Sequence, residues 1–389
     1  MKSPIIIVGG GFGGVYTAKH LLKAGLPVLL ISEHNYFTFT PLLHEVAGGN
    51  LTSKDVLFEY SDFFDNKQFR FVRGTVDNID FKGHHVHVGK SSFSFQYLVI
   101  ATGSSTNFYS MKGTEHCHTL KTIEDALRIK RHLLELAQGT SHKVFVNVIG
   151  GGPTGIELIL ELKSFLDEIK KLNPDMNCHL RLINAGDTLL RPFPQSIQEY
   201  AKKTLEKNDI ELVQNAIAKE LTPTKIKTTA GDFDTNLTIL AAGVTPRTSC
   251  ATQTKLDDRS HVCVDENLQV KGYQNIFALG DVVVMNEKPV PKLAQVATQQ
   301  AKVVAENIIR LHSKNKNLVA YEVKLKGMLV SLGTHNGAGS IFGITIKGFI
   351  AWWLWRTVYL FKTPGLTNKL RVAFSWTIAL FSGKDLVER

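Results

Sequence analysis

Short apolar runs alternate along this chain with glycine clusters and longer amphipathic stretches. The first succession has an apolar run at residues 4–8, glycines from 9 to 14, an amphipathic stretch from Val15 to Ala24, and a second apolar run at 28–32. Continuous apolar runs of this length are typical of parallel strands buried on both faces. The pattern therefore predicts a strand–helix–strand unit with its glycine turn between the first strand and the helix.

The glycine turn matches G-x-G-x-x-G at Gly9, Gly11 and Gly14. In such a turn the first glycine makes a tight bend, the second lets a pyrophosphate approach the backbone, and the third lets helix and strand pack closely. The helix N-terminus offers free N–H groups to the phosphates. Glu33, at the end of the second strand, can accept hydrogen bonds from a ribose diol. These positions predict a dinucleotide site.

The same pattern occurs a second time. An apolar run at 144–149 precedes Gly150, Gly152 and Gly155, and a helix from 156 to about 171 and a strand at 180–183 follow. The second strand ends in Asn184, where an acid would favour NAD over NADP. Asn184 can bond a ribose hydroxyl without repelling a 2′-phosphate, and no Arg follows it directly. We predict a second dinucleotide site that binds NADH in preference to NADPH.

Composition bounds the class of protein. The chain has 389 residues, 43% of them hydrophobic and 21% charged, which predicts an ordered protein of at least two domains. Its four cysteines are scattered and none lies in a C-x-x-C motif, so we expect no metal site and no disulfide scaffold. A reducing compartment fits this cysteine usage best.

The net charge of +10 is concentrated near the C-terminus. The last 49 residues carry seven basic and two acidic side chains and all four Trp residues. Basic charge mixed with Trp and Phe favours an anionic membrane surface over nucleic acid. The apolar runs there are too short to cross a bilayer. We predict two amphipathic helices joined at Pro364-Gly365 that lie in the membrane interface; an ordinary helix pair or a dimer surface is the alternative.

Three further segments carry a family resemblance. Residues 97–103 end in Ala101-Thr102-Gly103, residues 237–243 end in Ala242-Gly243, and residues 275–281 end in Gly280-Asp281. With the two glycine turns, they resemble the two-dinucleotide-binding-domain flavoproteins. That resemblance implies FAD on the first unit, NADH on the second, and a bond from Asp281 to the ribityl chain of FAD.

Within those flavoproteins the chain is similar to the type II NADH:quinone oxidoreductases, which are single-subunit respiratory enzymes that pump no protons. The similarity rests on the loop at 40–49, the A-Q-x-A-x-Q pattern within 292–300, the segment at 331–338 and the tail. It implies an α/β fold with two Rossmann-like domains and a C-terminal amphipathic-helix membrane-binding segment. The implied domains are 1–112 with 266–340 for FAD, 113–265 for NADH, and 341–389 for the membrane.

The resemblance also implies the site residues. The FAD set is Gly9, Gly11, Phe12, Gly13, Gly14, Glu33, Thr40, Pro41, Leu42, Ala101, Thr102, Gly103, Gly280, Asp281, Ala294 and Gln295. The NADH set is Gly150, Gly152, Pro153, Thr154, Gly155, Glu157, Asn184, Ala242 and Gly243. The quinone set is Gln295, Gln299, Gln300 and His335, and the catalytic set is Glu157, Gln295 and His335.

Several of these positions have a plainer interpretation. Gln295 and Gln299 share one face of a predicted helix, which could be merely a solvated face, although small neighbours such as Ala294 favour approach of a flat ring. Glu157, in the first turn of the predicted second helix, could simply complement the helix dipole rather than face the nicotinamide. His335 stands where we expect the family's usual bacterial Lys. His44, with Glu45, is expected in an exposed loop or beside the flavin.

The function that the resemblance implies is FAD-dependent transfer of two electrons from NADH to a membrane quinone. The enzyme would be a homodimer attached peripherally to the cytoplasmic face of the cell membrane. The alternatives are a soluble NAD(P)H-dependent reductase of a small iron–sulfur protein, a sulfide:quinone reductase, and a non-catalytic flavoprotein redox sensor.

Overall fold

The computed structural model describes residues 4–139, 143–286, 288–325, 327–382 and 384–385. The chain divides into two compact units. The first unit comprises Met1–Thr38, Leu57–Ser105 and Val244–Leu325, and the second comprises Phe39–Val56, Thr106–Gly243 and Lys326–Arg389. The functional domain boundaries given above stay a prediction.

The strands, in chain order, are β1 (Ile5–Val8), β2 (Val28–Ser32), β3 (Tyr36–Thr38), β4 (Leu57–Glu59), β5 (Phe69–Arg73), β6 (Asn78–Asp80), β7 (His85–Val88), β8 (Ser91–Ser94), β9 (Tyr97–Ile100), β10 (Ser104–Thr106), β11 (His118–Thr119), β12 (Lys143–Ile149), β13 (Asn177–Ile183), β14 (Ile210–Val213), β15 (Ala218–Leu221), β16 (Lys225–Thr228), β17 (Gly231–Asp234), β18 (Leu237–Leu240), β19 (Val244–Pro246), β20 (Val262–Val264), β21 (Ile276–Ala278), β22 (Val283–Met285), β23 (Lys288–Pro289), β24 (Gly327–Ser331), β25 (Gly337–Ile341) and β26 (Ile344–Lys347).

The α-helices are α1 (Phe12–Lys23), α2 (Leu43–Ala47), α3 (Ser53–Val56), α4 (Tyr60–Phe63), α5 (Ile123–Gln138), α6 (Pro153–Leu172), α7 (Gln195–Lys207), α8 (Ala294–His312), α9 (Phe349–Lys362) and α10 (Leu366–Ser382). Single turns of 3₁₀-helix cover Thr40–Leu42, Thr114–His116, Ser249–Ala251 and Gly280–Val282.

A five-stranded parallel sheet forms the core of the first unit. Its strand order is β21-β9-β1-β2-β5, and β1 pairs with β2 from Ile5 opposite Val28 to Val8 opposite Ile31. Every residue of β1 and β9 is buried, because apolar side chains point to both covered faces. Helix α8 packs against α1 on this sheet.

The second unit repeats this arrangement. Its parallel sheet has the order β11-β18-β12-β13-β14, and β12 pairs with β13 along seven residues, from Lys143 opposite Asn177 to Ile149 opposite Ile183. Helix α6 begins directly after β12 and a glycine loop. The predicted α/β class is therefore confirmed.

The C-terminal part of the second unit begins with the antiparallel sheet β24-β25-β26 and continues into helices α9 and α10. The break between these helices spans residues 363–365, which confirms the predicted helix pair and its joint. Within the described residues, no helix combines the length and the hydropathy needed to cross a bilayer.

Both glycine-motif helices begin earlier than predicted. Helix α1 starts at Phe12 and α6 at Pro153, so Gly11 and Gly152 are the N-cap residues of the two helices. A proline at the first position of α6 has its ring in the geometry that a helix start requires. Glu157 consequently lies in the second turn of α6 rather than in the first.

Candidate functional site

The first glycine loop leaves open space above a helix N-terminus. Gly9 has φ +108°, which a residue with a side chain adopts at a cost, and Gly11 precedes α1 without any side-chain hydrogen bond to cap the helix. A methyl group added at Gly11 would meet no heavy atom within 4 Å. The loop is thus an open cradle whose backbone N–H groups can receive a phosphate.

The other predicted FAD positions of the first unit follow neighbouring strands. Glu33 follows β2, Thr102 and Gly103 follow β9, and Asp281 follows β21, so all lie at the same sheet edge as the glycine loop. The Ser104 hydroxyl donates to Asp281 Oδ2 at 2.6 Å, and Lys292 Nζ donates to the Asp281 carbonyl at 2.7 Å. The structure therefore brings these predicted residues together on one edge.

Two residues at this edge escaped the sequence analysis. Arg247 Nη2 donates to Glu33 Oε1 at 2.6 Å, while the Arg247 backbone is bonded to Gly103 and to the Thr102 hydroxyl. The Tyr60 hydroxyl donates to the Gly10 carbonyl at 2.9 Å. Arg247 lies 214 positions from Glu33 in the chain, so no local pattern indicates their contact.

Helix α8 carries the three predicted quinone glutamines, as expected. Gln299 Nε2 donates to the Lys324 carbonyl at 2.9 Å, and Gln295 lies half-buried in the first turn beside Ala294. Gln300 is fully buried and its Oε1 accepts from the Gly280 N–H at 2.8 Å. Gln300 thus holds the turn that carries Asp281, a positioning role that differs from the predicted direct contact with quinone.

The second glycine loop has the same geometry as the first. Gly150 has φ +123°, Gly152 precedes α6 without a side-chain cap, and a methyl group added at Gly152 would meet nothing within 4 Å. Ala242 and Gly243 follow β18, the neighbour of β12, and so lie at the same sheet edge. Pro153, Thr154 and Gly155 form the first turn of α6.

Asn184 is engaged with the backbone rather than directed outward. Its Oδ1 accepts from the Gly151 N–H at 3.0 Å, and its Nδ2 donates to the carbonyls of Gly186 at 2.9 Å and Thr188 at 3.2 Å. The predicted bond to a ribose hydroxyl is therefore not the role that these contacts indicate. Asn184 instead shapes the second glycine loop.

Glu157 is bound to the C-terminal part of the chain. Its Oε1 accepts from the Ser331 N–H at 3.0 Å and from Trp355 Nε1 at 3.2 Å. Burial raises the pKa of this carboxyl to about 8, although both hydrogen bonds oppose the shift. The Glu157 carboxyl is therefore largely protonated, and so uncharged, at neutral pH.

Further buried carboxylates lie near Glu157. Glu45 Oε2 accepts from Trp376 Nε1 at 3.1 Å, and Glu161 receives Asn50 Nδ2 at 2.7 Å and the Lys384 ammonium. Burial raises the pKa of Glu161 to about 7 against the opposing charge of Lys384. The sequence analysis missed Glu161, whose position one turn after Glu157 on α6 was the available signal.

A cavity of about 430 Å³ in the second unit is bordered by both Glu45 and Glu161. His335 borders it as well, in the turn between β24 and β25, with its ring centroid 4.8 Å from that of Trp352. His335 is exposed and has φ +57°. The structure therefore brings His335 to the same cavity as the buried carboxylates.

The loop at 40–49 is largely helical. Thr40, Pro41 and Leu42 form a 3₁₀ turn that leads into α2, with Leu42 buried and Thr40 exposed. The expectation of an exposed loop at His44 and Glu45 is wrong, because α2 packs against α5 and α6 and buries both side chains. Burial lowers the pKa of His44 to about 4, so this imidazole is neutral.

Comparison with known proteins agrees with this geometry. A family model described as pyridine nucleotide-disulphide oxidoreductase matches residues 3–301. A probable NADH dehydrogenase of Dictyostelium discoideum is 28% identical over 98% of this chain and 90% of its own length. A type II NADH:quinone oxidoreductase of Haemophilus influenzae is 29% identical over 95% of each chain.

Among solved structures, NDH2 from Plasmodium falciparum in complex with NADH covers 100% of both chains with a TM-score of 0.93 and 21% identity. At that identity the likeness establishes the fold. The similarity to type II NADH:quinone oxidoreductases that the sequence indicates is confirmed by these relatives.

The two open glycine loops predict different effects of the same substitution. Gly11→Val fills the space in the first loop and should abolish FAD binding, whereas Gly152→Val should leave FAD bound and remove NADH oxidation. Flavin absorbance per protein after purification measures the first effect. Gly139→Val, at an ordinary backbone conformation, is the control. Loss of flavin from the Gly152 variant would contradict the division of cofactors between the loops.

The raised pKa of Glu157 predicts a pH dependence of stability. Between its usual value near 4.5 and about 8, the unfolded chain releases this proton while the folded chain keeps it. The free energy of unfolding therefore falls as pH rises through that window, by up to about 1.4 kcal/mol per pH unit for one proton. Glu157→Gln should flatten the profile measured by thermal unfolding. A profile unchanged from wild type, as expected for the exposed control Glu199→Gln, would show that Glu157 ionises freely.

Proposed function

Because the chain belongs to the pyridine nucleotide-disulphide oxidoreductase family, we propose that it is a flavin-dependent type II NADH:quinone oxidoreductase. It oxidises NADH to NAD⁺ and reduces a membrane quinone to quinol without pumping protons. The observation that carries this proposal is the presence in one chain of two open glycine loops with the same geometry. Two dinucleotides bound in one chain allow a hydride to pass from a nicotinamide to a flavin.

The first unit holds FAD. The N–H groups around Gly11 bind the pyrophosphate, Glu33 accepts from the adenosine ribose, and Asp281 accepts from the ribityl chain. Gln300 and Ser104 keep Asp281 in place through the bonds described above. The chemistry that FAD supplies when bound is acceptance of a hydride from NADH and delivery of two electrons to quinone.

The second unit holds NADH, with its pyrophosphate on the loop around Gly152. Glu157 follows this loop by one helical turn and carries a proton at neutral pH. A neutral carboxyl can donate a hydrogen bond to the nicotinamide carboxamide, and its other oxygen stays fixed by Ser331 and Trp355. Glu157 thus orients the nicotinamide without placing a negative charge beside it.

Quinol formation consumes one proton from water for each NADH oxidised. Gln295 binds the quinone, and His335 or ordered water supplies the proton. His335 is exposed and also borders the cavity that contains Glu45 and Glu161, so its ring can exchange protons with solvent.

The cysteines argue against a sulfide:quinone reductase. All four are free thiols, and burial raises the pKa of Cys117 and Cys178 to about 11. Burial also raises the pKa of Cys250. A cysteine nucleophile requires the thiolate, which the surroundings of Cys117, Cys178 and Cys250 disfavour. A soluble reductase of an iron–sulfur protein would have no use for the exposed apolar surface described next.

The outer surface of the C-terminal helices is apolar. Among the described residues, eleven of the seventeen large apolar side chains that are exposed lie between positions 342 and 380, including Phe361 at 72% and Phe374 at 66%. A surface of this kind favours insertion into a lipid interface. We propose peripheral attachment by this surface to the cytoplasmic face of the membrane, in a homodimer.

Not every basic side chain of the tail is placed to face lipid in this proposal. Arg356 lies 4.3 Å above the Trp352 ring and 4.9 Å from the Trp376 ring, so its guanidinium faces the protein interior. Arg371 lies 3.6 Å from Asp55. Lys347 and Lys362 are exposed, with their ammonium groups 5.5 Å and 5.9 Å from the rings of Tyr200 and Tyr359, and we propose that they reach anionic headgroups.

A kinetic prediction tests the electron path. Gln295→Ala should slow reoxidation of the flavin by quinone about tenfold or more, as expected for loss of a buried hydrogen bond, and should leave reduction by NADH unchanged. Anaerobic stopped-flow absorbance separates the two steps. Gln253→Ala, an exposed residue of the same unit, is the control. Slow reduction with normal reoxidation would contradict the quinone assignment, and no NADH oxidation in wild type would favour a redox sensor.

A second prediction tests the membrane surface. Replacement of Phe361, Leu370 and Phe374 with Glu should abolish flotation with anionic vesicles, since apolar burial contributes about 25 cal/mol per Å² and is insensitive to salt. Lys347→Glu with Lys362→Glu should only weaken binding at low salt, because each Lys contributes about 1 kcal/mol near an anionic leaflet.

Leu172→Glu is the matched control, since Leu172 is 75% exposed but lies outside the tail. If the triple variant still floats with vesicles yet becomes monomeric in sedimentation, the apolar surface is a dimer interface instead.

A further inference from the structure

We propose that the second dinucleotide site accepts NADPH as well as NADH, with Arg191 binding the 2′-phosphate. This inference rests on the proposed function, because it extends the nucleotide specificity of the same site. The reaction would be NADPH + H⁺ + quinone giving NADP⁺ and quinol, with the hydride and electrons following the route of NADH.

The first step concerns the end of β13. Its last residue, Ile183, pairs with Ile149, which immediately precedes the glycine loop. In a strand–helix–strand dinucleotide site, the side chain that follows this second strand faces the adenosine ribose. An acid there binds both ribose hydroxyls and repels a 2′-phosphate, but this chain has the neutral Asn184.

The second step concerns the interactions of an acidic residue that Asn184 does not make. Its amide is committed to Gly151, Gly186 and Thr188, so it provides neither the charge nor the free acceptors of the usual acid. These bonds tie residues 186–188 to the residue that follows β13. No carboxylate therefore stands at position 184 to repel a 2′-phosphate.

The third step concerns the Arg191 guanidinium, which lies near the turn that follows β13. The Leu190 N–H donates to the Gly151 carbonyl at 2.9 Å, which holds the segment before Arg191 against the glycine loop. A methyl group added at Gly186 would lie 3.1 Å from Arg191 Nη2, so the guanidinium extends over the turn that follows β13. A guanidinium matches phosphate geometry with two parallel hydrogen bonds.

Arg191 is available for this role. It is exposed and makes no hydrogen bond or ion pair with any other residue that the structure describes. Arg181, the other arginine near the strand end in sequence, is committed to Glu211 at 2.7 Å and to Asn147 at 3.0 Å. The geometry thus leaves Arg191, and not Arg181, available to a phosphate.

One nearby charge opposes 2′-phosphate binding. The Asp187 carboxylate is exposed in the same turn and accepts from the Thr188 hydroxyl at 2.8 Å. Its repulsion of a phosphate partly offsets the attraction of Arg191. We therefore expect use of both nucleotides, with NADH still accepted, rather than a strict preference for NADPH.

The test compares kcat/KM for NADPH and NADH with a short-chain quinone in the holoenzyme. Arg191→Ala should lower kcat/KM for NADPH about tenfold or more, as expected for a charge-assisted pair, and should change the value for NADH less than about twofold. Asn184→Asp should likewise lower use of NADPH, and Asp187→Asn should raise it. Lys202→Ala, which removes an exposed positive charge on α7, should change neither.

A binding measurement gives an independent readout. Adenosine 2′,5′-bisphosphate should compete with NADH in the wild type, more tightly than AMP, and should lose this advantage in Arg191→Ala. Oxidation of NADH without oxidation of NADPH by the wild type would overturn the inference and leave the proposed function intact. An equal loss for both nucleotides in Arg191→Ala would also overturn it. Failure to oxidise either nucleotide would instead overturn the proposed function.

Discussion

The second unit depends on the packing of carboxyl groups beneath its own C-terminal segment. Four acidic side chains accept hydrogen bonds from this segment. The donors are Trp355 to Glu157, Trp376 to Glu45, Lys384 to Glu161, and Ser375 to Asp55. A buried carboxyl group without a hydrogen-bond donor is strongly destabilising. Glu157 and Glu161 also accept from Ser331 and Asn50, and Asp55 accepts from the Thr52 N–H and hydroxyl. The donors from residues 355–384 add to these bonds, so the C-terminal segment belongs to the core of the unit and is not an appendage.

This constraint gives the C-terminal helices two different faces. Trp352, Trp355 and Trp376 are buried against the unit, whereas Phe361 and Phe374 point to solvent. A helix with apolar residues on both faces needs a second apolar environment in addition to the protein core. The inner face is fixed by directional hydrogen bonds to carboxylates. Among the described residues of these helices, the outer face has no such bonds, and a fluid lipid surface, as proposed above, would require none.

The elements that local sequence patterns determine were predicted correctly, whereas contacts between residues far apart in the chain were missed. The strands β1, β2, β12 and β13 and both glycine loops follow from apolar runs and glycine spacing, and all were found. The pairing of Trp355 with Glu157 joins residues 198 positions apart, and nothing near either residue indicates it. The burial of His44 was missed for the same reason, because a five-residue helix shows too little periodicity to indicate which neighbours cover it.

The two glycine loops show how one local geometry can serve two nucleotides. Each has a positive-φ glycine, an uncapped helix start and open space, so the loops themselves do not distinguish their ligands. The difference lies at the end of the next strand. There the first unit presents Glu33 held by Arg247, and the second presents Asn184 turned into the backbone beside an uncommitted Arg191. Under the proposals above, the loops bind the phosphates, and the residues at the strand ends determine how the adenosine ribose is bound.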